Sequence, residues 1–288
     1  MTAPRPNYSI PLPSGRALEL GPRCLVMAIL NVTPDSFAEA TRFDPASAVE
    51  AALRMAAEGA DIIDVGGEST RPGAEPVSAD AEAARVLPVV RALARQLSVP
   101  VSIDTYKADV ARAALAAGAS IVNDVSGLQY EPTLADVVAE AGAALVLMHN
   151  RGRSKTMYVE AEYRDVVAEV AAELAESLRR ARAGGVPDDR TIVDPGIGFA
   201  KRPEHSYGVL AGLPELSAML GRPVMVGPSR KSFMRRALAD RPPLERDWGT
   251  AAAVAAAVLG GAHIVRVHAV PEMVQVVRVA EEIRRHQR

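Results

Sequence analysis

Four aspartates, Asp64, Asp104, Asp124 and Asp194, stand within or at the end of short apolar runs, and Asn123 precedes one of them. Together they form an acceptor-rich set. Such a set suits a heterocycle with several N–H donors, because buried donors must be paired one by one. For Asp64 and Asp124 a second role stays open, that of bonding backbone N–H groups of adjoining loops. A cationic set, Arg71, Arg230, Lys231, Arg266 and His268, suits phosphate or carboxylate. Arg266 lies between Val265 and Val267 and alternates with them, so it is expected to point inward together with His268. The sequence has no His-Glu-x-x-His and only one cysteine, Cys24, which argues against zinc and excludes an intramolecular disulfide. Cys24 reads as a buried, inert thiol. Magnesium takes one or two protein oxygens plus substrate phosphates and waters, and Asn31 could supply one such oxygen.

Something must carry these groups to one place. Short β-branched runs at 25–31, 61–65, 101–104, 121–124, 144–149, 191–194, 223–226 and 263–268 predict eight strands. Between them lie helical patterns, such as Val86, Val90, Leu93 and Leu97, or Val166, Val170, Leu174 and Leu178. Gly59, Gly118, Gly142 and Gly184-Gly185 sit where helices should stop. The last helix is expected over 272–285, with Met273, Val276, Val277, Ala280 and Ile283 on its buried side. Strands joined by crossover helices imply a parallel sheet. Eight such units in 288 residues imply a single-domain α/β fold, the (β/α)8 TIM barrel. An open doubly wound sheet is the other topology considered. Residues 1–21 read as an N-terminal extension or hairpin over the barrel bottom, and 22–288 as the barrel domain.

Active sites of such barrels lie at the C-terminal ends of the strands. Every predicted strand here delivers a polar or ionisable group to that end. The long loops at 32–44 and 66–77 are candidate lids. Lys plus Arg number 33 and Asp plus Glu 35, a net charge of −2, so no global basic field supports nucleic-acid binding. The charge-free run 248–265 has nearly the length of a membrane span, but it is alanine-rich and broken by Gly260-Gly261. It reads as a packed helix, a turn and the start of a strand. No signal peptide is visible, and the expectation is a soluble, cytoplasmic protein without a membrane partner.

The motifs, in order, are Leu30-Asn31-Val32-Thr33-Pro34-Asp35-Ser36-Phe37, Asp64-Val65-Gly66-Gly67-Glu68-Ser69-Thr70-Arg71-Pro72-Gly73, Ser102-Ile103-Asp104-Thr105, Asn123-Asp124-Val125-Ser126-Gly127, Leu147-Met148-His149, Asp194-Pro195-Gly196-Ile197-Gly198-Phe199, Ser229-Arg230-Lys231-Ser232-Phe233 and Arg266-Val267-His268. In this set and order the chain resembles the dihydropteroate synthases of the pterin-binding family. The resemblance runs from about Leu25 to the C-terminus.

The resemblance implies a reaction: 6-hydroxymethyl-7,8-dihydropterin diphosphate condenses with 4-aminobenzoate to give 7,8-dihydropteroate and diphosphate, in folate biosynthesis. It implies pterin contacts at Asp104, Asn123, Asp194 and Lys231, and diphosphate and Mg²⁺ contacts at Asn31, Arg266, Val267 and His268. Thr70 falls on the diphosphate side. Arg71, Pro72, Phe199, Ser229 and Arg230 resemble the aminobenzoate pocket, where sulfonamides also bind. Asp35, with Asp104 and Lys231, takes the catalytic roles. The family also implies a homodimer. Two departures stand out. Ala38-Glu39-Ala40-Thr41 replaces a turn usually rich in glycine, and Ala200 replaces a frequent glycine before Lys201. A methyltetrahydrofolate-dependent methyltransferase would share the pterin acceptors but would not need Ser229-Arg230-Lys231 or Arg266-Val267-His268, since no diphosphate leaves. A pterin-binding paralogue without activity should show erosion at the strand ends, and none is seen.

Overall fold

The computed structural model describes residues 5–33, 44–69, 74–153 and 161–287. Asp35, Thr70, Arg71, Pro72 and the departure at 38–41 lie outside the described residues, as do the middles of both candidate lids.

Eight parallel strands form the sheet: β3 (Leu25–Asn31), β4 (Ile62–Gly66), β5 (Val101–Asp104), β6 (Ile121–Asp124), β7 (Ala144–Met148), β8 (Thr191–Asp194), β9 (Met225–Val226) and β10 (Ile264–Val267). Their order is β8-β7-β6-β5-β4-β3-β10-β9. The ring closes between β8 and β9 through a bridge of Val193 to Val224, with Val193 N donating to Pro223 O at 3.0 Å. The fold is the TIM barrel, with ten α-helices among the described residues. β9 is shorter than the sequence predicts. Pro223 has no N–H to give the ladder, and Val224 N donates instead to His263 Nδ1 at 3.1 Å.

The pleat sorts each strand's residues into two layers. Val26, Ala28, Ile63, Val65, Ile103, Val122, Leu145, Leu147, Val193, Val226, Val265 and Val267 face the helices. Met27, Ile62, Ile121, Val146, Ile192, Met225 and Ile264 fill the lower barrel. An antiparallel hairpin, β1 (Tyr8–Pro11) and β2 (Ala17–Leu20), inserts Ile10, Leu12, Leu18 and Leu20 into that same apolar layer. Burial of so many aliphatic side chains at roughly 25 cal/mol per Å² makes this floor a main source of barrel stability.

The helices form where the periodicity places them. The helix Val166–Ala183 is capped by Asp165, whose carboxylate accepts from Val167 N and Ala168 N. Asp44 caps Pro45–Ala57 in the same way. The run 248–265 is the helix Asp247–Leu259, a Gly-Gly turn and the start of β10. Among the described residues no helix is long and apolar enough to cross a membrane. The last helix, Val270–Arg285, begins two residues earlier than expected, with Pro271 in its first turn. Its buried face is Val270, Met273, Val274, Val277, Ala280 and Glu281, while Ile283 stays 51% exposed. Glu281 enters the interior because Arg5 pairs with it at 2.8 Å and Cys24 N donates to it at 2.7 Å. Cys24 is fully buried, and burial pushes its thiol up to about 12.

Candidate active site

Above the apolar floor the inward positions turn polar. Arg266 on β10 donates from Nε to Asp64 Oδ2 and from Nη2 to Asp104 Oδ2, both at 2.6 Å. Asn123 Nδ2 on β6 donates to the same Asp64 oxygen at 2.9 Å. β10, β4, β5 and β6 are not all neighbours in the sheet, so these bonds cross the barrel interior. Asp64 has no exposed surface, and its Oδ1 lacks a hydrogen-bond partner. A buried acceptor left unpaired costs on the order of 1–3 kcal/mol, so a ligand donor there would be favourable.

Asp124 does not join this ring. Asn123 faces in, so its neighbour must face out. Asp124 accepts from Ser126 N at 2.8 Å and Leu128 N at 2.6 Å and shapes the loop beyond β6. Val267 is likewise not a lining side chain. It is fully buried in the helix-facing layer, and its place between Arg266 and His268 turns both of those inward.

Asp194 ends β8, and its Oδ1 accepts from Gly196 N at 2.7 Å. The loop that follows can exist only with glycine at 196. Its φ is +67°, and an added Cβ would stand 2.0 Å from His149 O. Lys231 reaches into this loop from the segment after β9. Its Nζ donates to Ile197 O at 2.7 Å and lies 4.4 Å from the centre of the Phe199 ring. Gly227, which follows β9, leaves space between the two groups: a Cβ built there would meet Arg266 Cβ at 3.7 Å, Lys231 Nζ at 3.8 Å and Asp194 Oδ2 at 3.9 Å.

Burial dominates the electrostatics here. Desolvation lifts Asp104 to about 7 against the pull of Arg266. Asp194 is raised for the same reason, with Lys231 opposing. Lys231 falls to about 8 because burial disfavours its charge more than Asp194 restores it. Carboxylates and an ammonium so poorly solvated are ready to exchange their missing water for ligand hydrogen bonds.

Of the expected cations, Arg230 is engaged elsewhere. Its guanidinium holds Asp247 through two bonds of 2.7 Å, and its backbone adopts φ +59° with N donating to Thr250 Oγ1. Ser229 Oγ and His268 Nδ1 are 2.9 Å apart, and His268 N donates to Ser229 Oγ at 3.2 Å, so the ends of β9 and β10 are tied together. Asn31 ends β3 at an inward position beside Gly66, whose own neighbour is Asp104. No cluster of three or more His, Cys, Asp or Glu able to hold a metal occurs among the described residues.

Two buried networks escaped the sequence reading. Lys107 bridges Glu68 and Glu82, and Glu68 also accepts from Tyr106 Oη at 3.0 Å and Val77 N at 3.2 Å. Lys201 Nζ lies 2.7 Å from His149 Nδ1, and His149 Nε2 lies 3.1 Å from Glu173 Oε2. Partners 24 to 52 residues apart leave no local pattern to read.

The pterin binding enzyme family model matches residues 27–268. The dihydropteroate synthase of Mycobacterium leprae is 51% identical over 261 residues, covering 88% of this chain and 91% of the relative. A solved structure of Xanthomonas albilineans dihydropteroate synthase with 4-aminobenzoic acid superposes with a TM-score of 0.87 at 42% identity, covering 95% of this chain and 98% of the other. The Yersinia pestis dihydropteroate synthase with a sulfonamide drug complex gives a TM-score of 0.88 at 40% identity, over 94% and 98%.

Proposed function

We infer from its membership of the pterin binding enzyme family, to which this chain belongs, that it catalyses the dihydropteroate synthase reaction of folate biosynthesis. 6-Hydroxymethyl-7,8-dihydropterin diphosphate and 4-aminobenzoate give 7,8-dihydropteroate and diphosphate. The observation that carries this reading is the inward ring of Asp64, Asp104, Asn123 and Asp194, closed on one side by Arg266 and Lys231. A donor-rich heterocycle answers its unpaired and poorly solvated acceptors, and a departing diphosphate answers its cations.

In this reading Asp104, Asn123 and Asp194 accept from the pterin N–H groups, and Lys231 donates to a pterin acceptor. The carboxylates favour the cationic character that grows on the methylene as the C–O bond breaks. The diphosphate leaves toward Arg266 and His268, and Thr70 would take the diphosphate-side role that the family resemblance implies. The neutral aniline nitrogen then forms the new C–N bond and loses its proton, a step needing little general-base help. Arg71, Pro72, Phe199, Ser229 and Arg230 would frame the aminobenzoate, and Asp35 would approach the assembled site. Arg230, fixed by Asp247, serves there as a framing residue.

Mg²⁺ fits the donor set. Among the described residues no group of three or more His, Cys, Asp or Glu is arranged to hold a metal, and the amide oxygen of Asn31 at the end of β3 suits an ion held mainly by diphosphate oxygens and water. Asn31 would hold it, and the ion would supply charge neutralisation of the leaving group. The protein would act as a cytoplasmic homodimer. Leu244 and Trp248, 74% and 88% exposed, offer apolar surface to a second copy.

The deciding measurement is diphosphate release by purified protein given the dihydropterin diphosphate and Mg²⁺, with and without 4-aminobenzoate. Release coupled to dihydropteroate formation is expected. Tight pterin binding without turnover would overturn the assignment.

A further inference from the structure

The chain contains four lysines, Lys107, Lys155, Lys201 and Lys231, against 29 arginines. Where arginine is so generally used, a lysine marks a place where a guanidinium does not serve. An ammonium is compact, donates in three directions and can lose its proton when buried. Lys201 is the most enclosed of the three described lysines, 1% exposed. It touches no group of the inward ring, yet its contacts lead straight to it.

Its Nζ donates to Phe199 O at 3.2 Å and to His149 Nδ1 at 2.7 Å. His149 is buried, and desolvation lowers it to about 4, so it is the neutral imidazole that accepts at Nδ1 and donates Nε2–H to Glu173. Glu173, on the helix Val166–Ala183, is fixed in turn by Arg151 Nε at 3.0 Å. On the other face of the same loop Lys231 holds Ile197 O and packs on the Phe199 ring. The segment 197–199 is thus gripped by two ammonium groups, one facing ligand and one anchored through His149 to a helix. Ala200 adopts φ +45°, the left-handed region that an alanine enters at a cost of about 1–2 kcal/mol. Tyr163 Oη holds its carbonyl at 2.9 Å. This strained turn is kept by its bonds, not by local preference.

We propose that Lys201 is a positioning residue for the reaction: anchored by His149 and Glu173, it fixes the Ile197–Phe199 backbone and so sets the Lys231 ammonium and the Phe199 ring against the substrates. Burial lowers Lys201 to about 7, with Asp194, Lys231, Glu173 and Arg151 as the charges that act on it. Burial thus works against the charge of Lys201, and its alignment rests on its hydrogen bonds to His149 and Phe199 O. The kinetic part rests on the function inferred above, while the loop geometry does not.

Lysine-selective ¹³Cε labelling gives four signals, and Lys231→Arg assigns one of them. In the unliganded protein the Lys231 signal is titrated in wild type, Lys201→Met and Glu173→Gln. Both variants are expected to raise the Lys231 midpoint from about 8 toward the ordinary lysine value of about 10.4 as the loop loosens and water reaches Nζ. Glu173→Gln separates loosening from charge, because loss of a negative charge alone would lower that midpoint. It also decides the matter if Lys201→Met does not fold. With both substrates, Lys201→Met should lower kcat/KM tenfold or more, mainly through KM. Unchanged Lys231 midpoints in folded variants, or a loss confined to thermal stability, would overturn the proposal. If wild type forms no dihydropteroate, the functional reading fails, and the Lys231 titration still tests the positioning.

Discussion

Arg266 and Asp64, on strands separated only by β3, meet inside the barrel at 2.6 Å, yet the second oxygen of Asp64 has no hydrogen-bond partner among the described residues. One oxygen of this carboxylate is therefore held by the protein, and the other is a buried acceptor that the protein leaves unpaired. The same division runs through the ring: Asp194 gives Oδ1 to Gly196 and keeps Oδ2 near the space above Gly227.

Asp194→Asn follows from that division. The amide oxygen can still accept from Gly196 N, so the fold should hold, with melting within a few degrees of wild type. Its NH₂ would face ligand donors, and the substitution would remove the larger of the two carboxylate charges, Asp194 and Asp104, that act on Lys231. Pterin affinity measured by calorimetry should fall about 100-fold, in line with roughly 3 kcal/mol for a lost charged hydrogen-bond partner. Wild-type affinity would remove Asp194 from the pterin site.

Asp104 predicts the pH dependence. Its folded-state carboxyl is raised to about 7, above the unfolded value near 3.9. The folded protein therefore binds the proton more tightly, and this group's contribution to stability is full below about pH 4 and is lost as pH rises through 7. Ligand N–H groups need the ionised form, so pterin affinity should weaken as pH drops below 7. In Asp104→Asn both trends should flatten, as melting and binding measured from pH 5 to 9 would reveal.

Two glycines should behave in opposite ways. Gly196→Ala forces a Cβ against a backbone oxygen at positive φ, and should cost about 3 kcal/mol or more of stability. Gly227→Ala meets only ordinary contacts, so melting should barely move. Its methyl fills the space beside Lys231 and Asp194, however, and pterin affinity should fall at least about tenfold. Equal affinities in Gly227→Ala and wild type would place the ligand elsewhere.

Chelation of Mg²⁺ should slow diphosphate release, and added Mg²⁺ should restore it. Asn31→Ala should raise the Mg²⁺ concentration needed for half-maximal rate without changing the melting temperature of the metal-free protein. Full activity in chelator would exclude the ion from the reaction.

Most of the barrel was legible because each strand carries its own alternation. Arg266 between two valines is the plainest case, and the pleat turns it inward as expected. The same alternation excludes Asp124 once Asn123 is placed, and it puts Val267 among the helices. The short β9 reflects Pro223, whose missing N–H a run of apolar residues conceals. Ile283 kept the helical period but lies beyond the point where Glu281 and Arg5 close the interface. Lys201, His149 and Glu173 could not be found by spacing, because only the closed ring brings β7, the loop after β8 and a helix together.

The hairpin that closes the barrel floor gives this well one door. Ile10, Leu12, Leu18 and Leu20 pack with the lower barrel residues into one buried apolar layer, which leaves the polar strand ends as the route by which a substrate would enter and leave. Depth then becomes sequence in time. On the function proposed above, a pterin seated on the ring of Asp64, Asp104, Asn123 and Asp194 would have to arrive before an aminobenzoate held nearer the opening, and a product spanning both levels would have to withdraw before another pterin could enter. Traffic through one opening, as well as chemistry, bears on the rhythm of turnover.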